Sequence, residues 1–258
     1  MALKDLIDAR ERLIDSMEAS LKRQLQAVRD NFIGSLPADI ERFRDAEFVY
    51  RLLLDSGLAS ALDGLDYEAR LNAVIGIAGE SGVDLSKVST APLDALRASN
   101  QSLLEAHSRA AAERVRATML FASLSPGPVP FGSIVDSVSA ALNGALFSRG
   151  QLETQVNTAM AAWDRQLMDE IAVQADVSRW VFMGPMDKLT RPFCRDLLQK
   201  SRTYTERGIT ELNEHPLLHS YVPPNVKVYC GGYNCRHMFT PVSDTWARQN
   251  WYDIPDEG

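Results

Sequence analysis

Trp180-Val-Phe-Met-Gly-Pro-Met-Asp-Lys-Leu-Thr-Arg-Pro-Phe-Cys194 is answered further along by Tyr229-Cys-Gly-Gly-Tyr-Asn-Cys-Arg-His237. Trp180-Val-Phe-Met reads as a short strand that Gly184-Pro185 turns. Thr190 or Arg191 then precedes Pro192, a residue suited to the first turn of a helix because its missing N–H has no helical partner there. Pro223-Pro224 breaks the chain, Val226-Lys-Val-Tyr229 alternates like a strand, and Gly231-Gly232 is a turn. His237-Met-Phe-Thr-Pro-Val242 predicts a returning strand that Pro241 ends. Residues 180–258 are therefore expected to form a small α+β module. All three cysteines and three of the four histidines fall from residue 180 onward, so site chemistry is expected there.

Outward from this module the sequence is helical. Ala2 to about Phe32 carries apolar residues at Leu3, Ile7, Ile14, Met17, Leu21, Leu25, Val28 and Phe32, mostly three and four apart, with Arg10 interrupting the stripe. Two readings stand: a helix packed on its own domain, or a self-associating, coiled-coil-like helix that docks a partner. Gly34 and Pro37 stop it. A second helix is expected over about Ala38–Asp55 and a third over Tyr67–Gly79. The glycine run Ile75–Gly82 lacks the Gly-Lys-Ser/Thr ending of a phosphate loop and reads as a helix end. Thr90 caps a long helix reaching about Leu124, whose polar face carries Arg109, Arg114 and Arg116. That face reads as solvated surface before it reads as a DNA patch. Three prolines in Ser125–Phe131 mark a stiff linker. A helix of about Gly132–Leu146 follows, and another opens near Ser148 or Arg149 and runs through Trp163 to Ile171. The expected organisation is a helical domain 1–125, a linker 126–131, connecting helices 132–179 and the module 180–258. The fold class is mainly α, a helical N-terminal region with a small C-terminal α+β module.

The 258 residues are 45% hydrophobic and 24% charged, a globular composition, and the net charge of −7 argues against broad binding to nucleic acid phosphates. No apolar run approaches the roughly 20 residues of a membrane helix. The N-terminal stretch lacks the charged-then-apolar build of a signal peptide, so synthesis in a cytosol is expected. A disulfide framework is unexpected in that compartment.

The residues leave three chemistries open. Cys194, Cys235 and His237 supply soft zinc ligands, with Cys230 or His215 as a fourth and His219 in reserve. Cys194 or Cys235 with a histidine base is the raw material of a nucleophile. The third reading is structural, with the thiols buried as small hydrophobes. Asp187 and Arg191, four apart across a turn, are spaced for a salt bridge or a cap.

The combination of the Gly184-Pro-Met-Asp-Lys-Leu-Thr-Arg-Pro-Phe-Cys194 element and the closing Gly-Gly-Tyr-Asn-Cys-Arg-His237 element resembles the C-terminal module of the Mu F-like phage minor head proteins, also called phage head morphogenesis proteins. The resemblance covers about Trp180–Val242. The matching positions are Asp187, Thr190, Arg191, Cys194, Gly232, Tyr233, Asn234, Cys235, Arg236 and His237. Cys230 departs from the pattern, standing where a glycine is common. The resemblance implies a minor virion protein associated with the portal and the head interior, acting in head morphogenesis and in genome packaging or ejection. The partners it implies are the portal protein, with the major capsid or scaffolding protein and packaged DNA as further contacts, in several copies following portal symmetry. The implied location is the virion, with host cytoplasm during assembly. It implies no enzymatic activity; the alternatives are a zinc- or cysteine-dependent hydrolase and a DNA-contacting internal head protein. The only cofactor considered is a structural zinc.

Overall fold

The structure is a computed structural model describing residues 3–36, 40–89, 91–123, 131–147, 152–250 and 252. Helix of all kinds accounts for 73% of it, with one small antiparallel sheet near the C-terminus, which is the expected class. The helices are α1 (Leu3–Gly34), α2 (Ala46–Leu53), α3 (Ala59–Asp63), α4 (Tyr67–Glu80), α5 (Ala91–Ser123), α6 (Phe131–Phe147), α7 (Leu152–Gln174), α8 (Pro192–Lys200), α9 (Glu206–Glu211), α10 (Val226–Tyr229) and α11 (Asp244–Gln249). The strands are β1 (Trp180–Met183), β2 (Thr203–Tyr204) and β3 (Met238–Pro241). Thr90, residues 124–130 of the proline-rich stretch, Pro37 and the start expected at Ser148 or Arg149 lie outside the described residues. Among the described residues no helix is long and apolar enough to cross a membrane.

The chain divides into two compact units, each built from separate stretches of sequence: 15–66 with 101–157, and 1–14 with 67–100 and 158–258. The first of these is helical. Leu21, Leu25, Val28 and Phe32, spaced four, three and four apart along α1, are at most 1% exposed, and they share the unit's core with Phe43, Val49, Leu53, Val115, Met119 and Leu142. Each such side chain contributes roughly 1.5–3 kcal/mol on burial. The regular stripe of α1 is thus accounted for by packing inside the chain. The second expected helix is interrupted: a 3-10 turn spans Ile40–Arg44, and Asp45 restarts the chain as α2 by accepting the Glu47 N–H at 2.9 Å. A capping carboxylate at that position competes with a continuous helix. On α5, Arg109 is held by Glu47 and Glu105 and lies 4.2 Å over the Tyr50 ring, and Arg116 pairs with Glu113. Those two arginines serve local ion pairing.

The other unit contains the sheet, in the order β2-β1-β3 with both pairings antiparallel. Trp180 faces Tyr204 and Pro241, and Phe182 faces Phe239. Alternation along β1 sorts its side chains to two sides. Trp180 and Phe182 join Phe193, Leu197, Tyr204, Ile209, Val226 and Phe239 in one core, and Val181 and Met183 pack with Val242 and Ala247 on the other. Val226–Tyr229 is a helical turn rather than the expected strand. The Asn213 side chain takes the N–H groups of Asn225 and Val226, and the Asn225 side chain caps Val228, so local polar groups hold the turn closed. Four residues of alternation could not register that capping. On α7, Trp163 is 1% exposed and meets Tyr67 edge-on at 4.9 Å, and the Tyr67 hydroxyl donates to Asn100 at 2.7 Å. Asp164 and Arg165, both buried, follow directly on α7, Asp164 meeting Arg10 and Arg70 and Arg165 reaching the module.

Candidate functional site

The two motif segments close on each other. After β1 the chain turns at Gly184, whose φ is 149°. The Asp187 carboxylate accepts the Leu189 N–H at 2.8 Å, and the Thr190 hydroxyl accepts the Asp187 N–H at 2.8 Å and donates to the Pro185 carbonyl at 3.0 Å. This knotted loop delivers Arg191 to the cap position and Pro192 to the first turn of α8, which puts Cys194 on the buried side of the helix. The second segment leaves α10 through Cys230, Gly232 and Asn234, all with positive φ, and reaches Cys235. Gly231 has no room for a side chain: a Cβ there would sit 2.7 Å from Cys194 Sγ. Reciprocal arginines fasten the halves. Arg236 reaches Asp187 at 2.5 Å, and Arg191 donates to the Tyr233 carbonyl at 2.6 Å. The expected pairing of Asp187 with Arg191 is therefore replaced by pairing with Arg236, because Arg191 points across to the second segment.

Inside this clasp lie Cys194, Cys235 and His237, 1%, 3% and 3% exposed. Their sulfur and nitrogen donors all fall within 4.8 Å of one another. Cys194 Sγ is 3.7 Å from Cys235 Sγ, and Cys235 Sγ is 3.6 Å from His237 Nδ1. The imidazole is oriented by the 2.8 Å contact of Nε2 with the Pro185 carbonyl, which requires the proton on Nε2 and leaves Nδ1 as a lone pair facing sulfur in the neutral ring. It stacks on Phe182, centroids 5.5 Å apart and planes 4° apart. The Gly231 N–H donates to Cys235 Sγ at 3.3 Å. Hydrogen bonds from the Cys194 and Cys230 thiols hold the Cys235 thiol well below its usual range. Cys194 is pushed up, first by the hydrogen bond it shares with Cys235 and then by burial, and Cys230 is pushed up by burial. A pocket of about 230 Å³, lined by Leu189, Arg191, Asn234 and Arg236 together with the three donors, opens beside this cluster.

Compared with protein-family models, curated proteins and solved structures, this chain matches none. What the site can do is accordingly read from its own geometry. Two sulfurs and an imidazole nitrogen at these separations can hold a soft metal ion. The Cys235–His237 pair also has the proximity of a thiol and a base, since the Nε2–H bond to the Pro185 carbonyl leaves the Nδ1 lone pair on the sulfur side.

Of the remaining donors considered from sequence, Cys230 borders the cluster through its hydrogen bond with Cys235, and the two histidines lie elsewhere. Cys230 is fully buried with its sulfur toward the Lys227 carbonyl at 3.9 Å. His215 meets Asp196 at 3.0 Å and accepts the Leu217 N–H, and His219 stacks on Tyr221. Sequence reasoning missed Arg165, which donates to the carbonyls of Val228 at 2.7 Å, of His237 at 2.9 Å and of Cys235. It also missed Lys227, which lies 3.8 Å over Trp180 and pairs with Asp169 and Glu206. The available signal was a charged pair, Asp164-Arg165, directly after Trp163 in an otherwise apolar helix face.

Two expected outcomes test this geometry. A Cβ at Gly184 would lie 2.5 Å from His237 Cδ2 and 2.9 Å from its Cα. Gly184→Ala should cost about 2–4 kcal/mol through overlap and positive-φ strain, read from urea unfolding; a cost below about 0.5 kcal/mol would show that His237 is not held against this turn. The Asp187 carboxyl is kept below the usual carboxylate range, first by the hydrogen bond from Arg236. A lowered folded-state value means that its stabilisation is present above the ordinary pKa of about 3.9 and fades as pH falls through the lowered value. With its side chain 38% exposed, Asp187 should contribute less than about 1 kcal/mol. Asp187→Asn should therefore slightly flatten the acid limb of a stability–pH profile; an unchanged limb would remove the pair from the account.

Proposed function

We propose that this chain is a minor structural protein of a tailed-phage head, acting at the portal vertex and head interior in head assembly and in packaging or ejection of the genome. The observation that carries the reading is the use made of the motif residues. Arg191, Arg236 with Asp187, and His237 bond across the clasp, and Thr190 bonds the backbone within its own loop. Such a set holds a module in shape, which is what a scaffold that docks onto a ring of subunits requires. The rigid loop also carries Leu189 at 70% and Met186 at 52% exposure, and the closing segment carries Tyr233 at 44%. Apolar groups on a fixed frame suit a protein partner. The partner in this reading is the portal protein, with capsid or scaffolding protein and packaged DNA as further contacts, and the chain is not an enzyme.

The test is coexpression of the chain with the portal protein of the same genome, followed by size-exclusion chromatography and by mass spectrometry of purified heads. Comigration with the portal ring and presence in heads is the expected result. Heads that lack the chain, together with a portal that does not retain it, would overturn the reading. A second reading, a cysteine- or zinc-dependent hydrolase, is favoured by the Cys235–His237 pair beside a pocket. It would be supported by a hydrolytic activity lost in Cys235→Ser while the fold persists.

A further inference from the structure

We infer that Cys194, Cys235 and His237 are three ligands of one tetrahedral zinc ion, and that its fourth position faces the pocket beside Arg191 and Arg236 and is filled by solvent. The inference does not depend on the head-protein reading. Zinc bonds of about 2.3 Å to sulfur and about 2.0–2.1 Å to nitrogen place tetrahedral ligands about 3.8 Å apart for a sulfur pair and about 3.6 Å apart for sulfur and nitrogen. The Cys194–Cys235 and Cys235–His237 separations are 3.7 and 3.6 Å, and all three donors fit within 4.8 Å.

The surroundings are those a metal site needs. His237 presents Nδ1 to the sulfurs because Nε2 is tied to the Pro185 carbonyl, the usual outer hydrogen bond of a ligating imidazole. The Gly231 N–H supports Cys235 Sγ. Glycine at 231 keeps the space at Cys194 Sγ clear, since a Cβ would approach to 2.7 Å. Arg165 fixes the carbonyls of both Cys235 and His237, holding two ligands two residues apart in a set geometry. Two thiolates and a neutral imidazole balance a divalent ion, with the thiol protons released to solvent on binding. The donor set favours zinc over magnesium or calcium, which take oxygen.

Cys230 is the competing fourth ligand. It shares a hydrogen bond with Cys235 and reaches the Lys227 carbonyl at 3.9 Å, but it lies outside the group of three donors that are all within 4.8 Å of one another. The pocket, by contrast, is lined by all three ligands.

The experiment is metal analysis of the full chain purified in reducing buffer without added zinc, beside Cys194→Ser/Cys235→Ser and Cys230→Ser, followed by chelation and titration with cobalt(II). The expected result is roughly one zinc per chain, at least tenfold less in the double variant, and undiminished zinc in Cys230→Ser. Chelation should lower the thermal midpoint by about 5–10 °C, and re-addition of zinc should restore it. Cobalt should give thiolate charge-transfer absorption and the strong visible bands of a tetrahedral site, shifted by added azide through the open position. If the double variant does not fold, the cobalt spectrum of the unaltered chain decides. Absence of metal and of those bands, or zinc retained in a folded double variant, would overturn the site. Loss of zinc in Cys230→Ser, or bands indifferent to azide, would overturn the solvent-filled position.

Discussion

Asp164→Ala is expected to reduce the unfolding free energy by about 3–5 kcal/mol, the range for breaking a buried ion pair from one side. Asp164 is 1% exposed and meets two guanidiniums that are each 5% exposed. Arg70 holds it by two bonds, Nε to Oδ1 at 3.0 Å and Nη2 to Oδ2 at 2.8 Å, while Arg10 reaches Oδ2 at 2.5 Å. Burial already pulls the Arg10 guanidinium below its usual value, with Asp164 acting against that pull. Without the carboxylate, two cations remain, each only 5% exposed and without their counter-charge. Asp164→Asn keeps the shape and should lose most of the same stability. Arg10→Met/Arg70→Met/Asp164→Leu should recover much of it, because apolar replacement removes the desolvation cost along with the attraction. Urea denaturation of the three variants checks the ordering; a change below about 1 kcal/mol in Asp164→Ala would mean that the cluster is hydrated and not closed.

Arg165→Met is expected to cost about 3 kcal/mol or more and to loosen the cysteine cluster. One guanidinium satisfies three carbonyls, those of Val228, Cys235 and His237, from a position 4% exposed. Hydrogen bonds from a charged donor are worth about 1.5–3 kcal/mol each, and a buried carbonyl left without a donor loses its solvation as well. Methionine fills the volume and supplies no donor. Lysine keeps the charge but places its donors at one point and cannot span three separated carbonyls, so Arg165→Lys should recover only part of the loss. Thiol reactivity gives the local readout. The buried cysteines should react at least about tenfold faster in Arg165→Met than in the unaltered chain under conditions where the rest of the fold persists. Equal reactivity at equal stability would show that the loop from Val228 to His237 holds itself.

Several features of this module were legible because a single residue decides them. Trp180–Met183 reads as a strand from its apolar run and the Gly-Pro that follows, Pro192 marks the first turn of α8, and Pro241 closes β3. The stripe on α1 was readable as well, and Leu21, Leu25, Val28 and Phe32 occupy the core that its spacing demands. The convergence of Cys194, Cys235 and His237 could be proposed from residue type, but their separations could not. What stayed hidden depends on partners distant in sequence. Arg10 reads as an interruption of an apolar stripe until Asp164, 154 residues on, turns it into a buried pair. Asp187 has a near candidate in Arg191 and an actual partner in Arg236, 49 residues away. Val226–Tyr229 carries strand-like alternation, overridden by the side-chain amides of Asn213 and Asn225.

The Arg10–Asp164 pair also sets a clock on synthesis. Ribosomes add about 5–20 residues per second, so α1 emerges with its inward-facing arginine roughly 8–30 s before the aspartate that will neutralise it. Arg165 waits a further 63 to 72 residues for the carbonyls it will bind. The unit that carries the clasp thus cannot close vectorially from its N-terminal end. It must gather its three stretches late, after the nascent chain has passed His237, and until then the first turns of α1 that carry Arg10 stay open to water and to chaperones, while the rest of the helix belongs to the unit completed by residue 157.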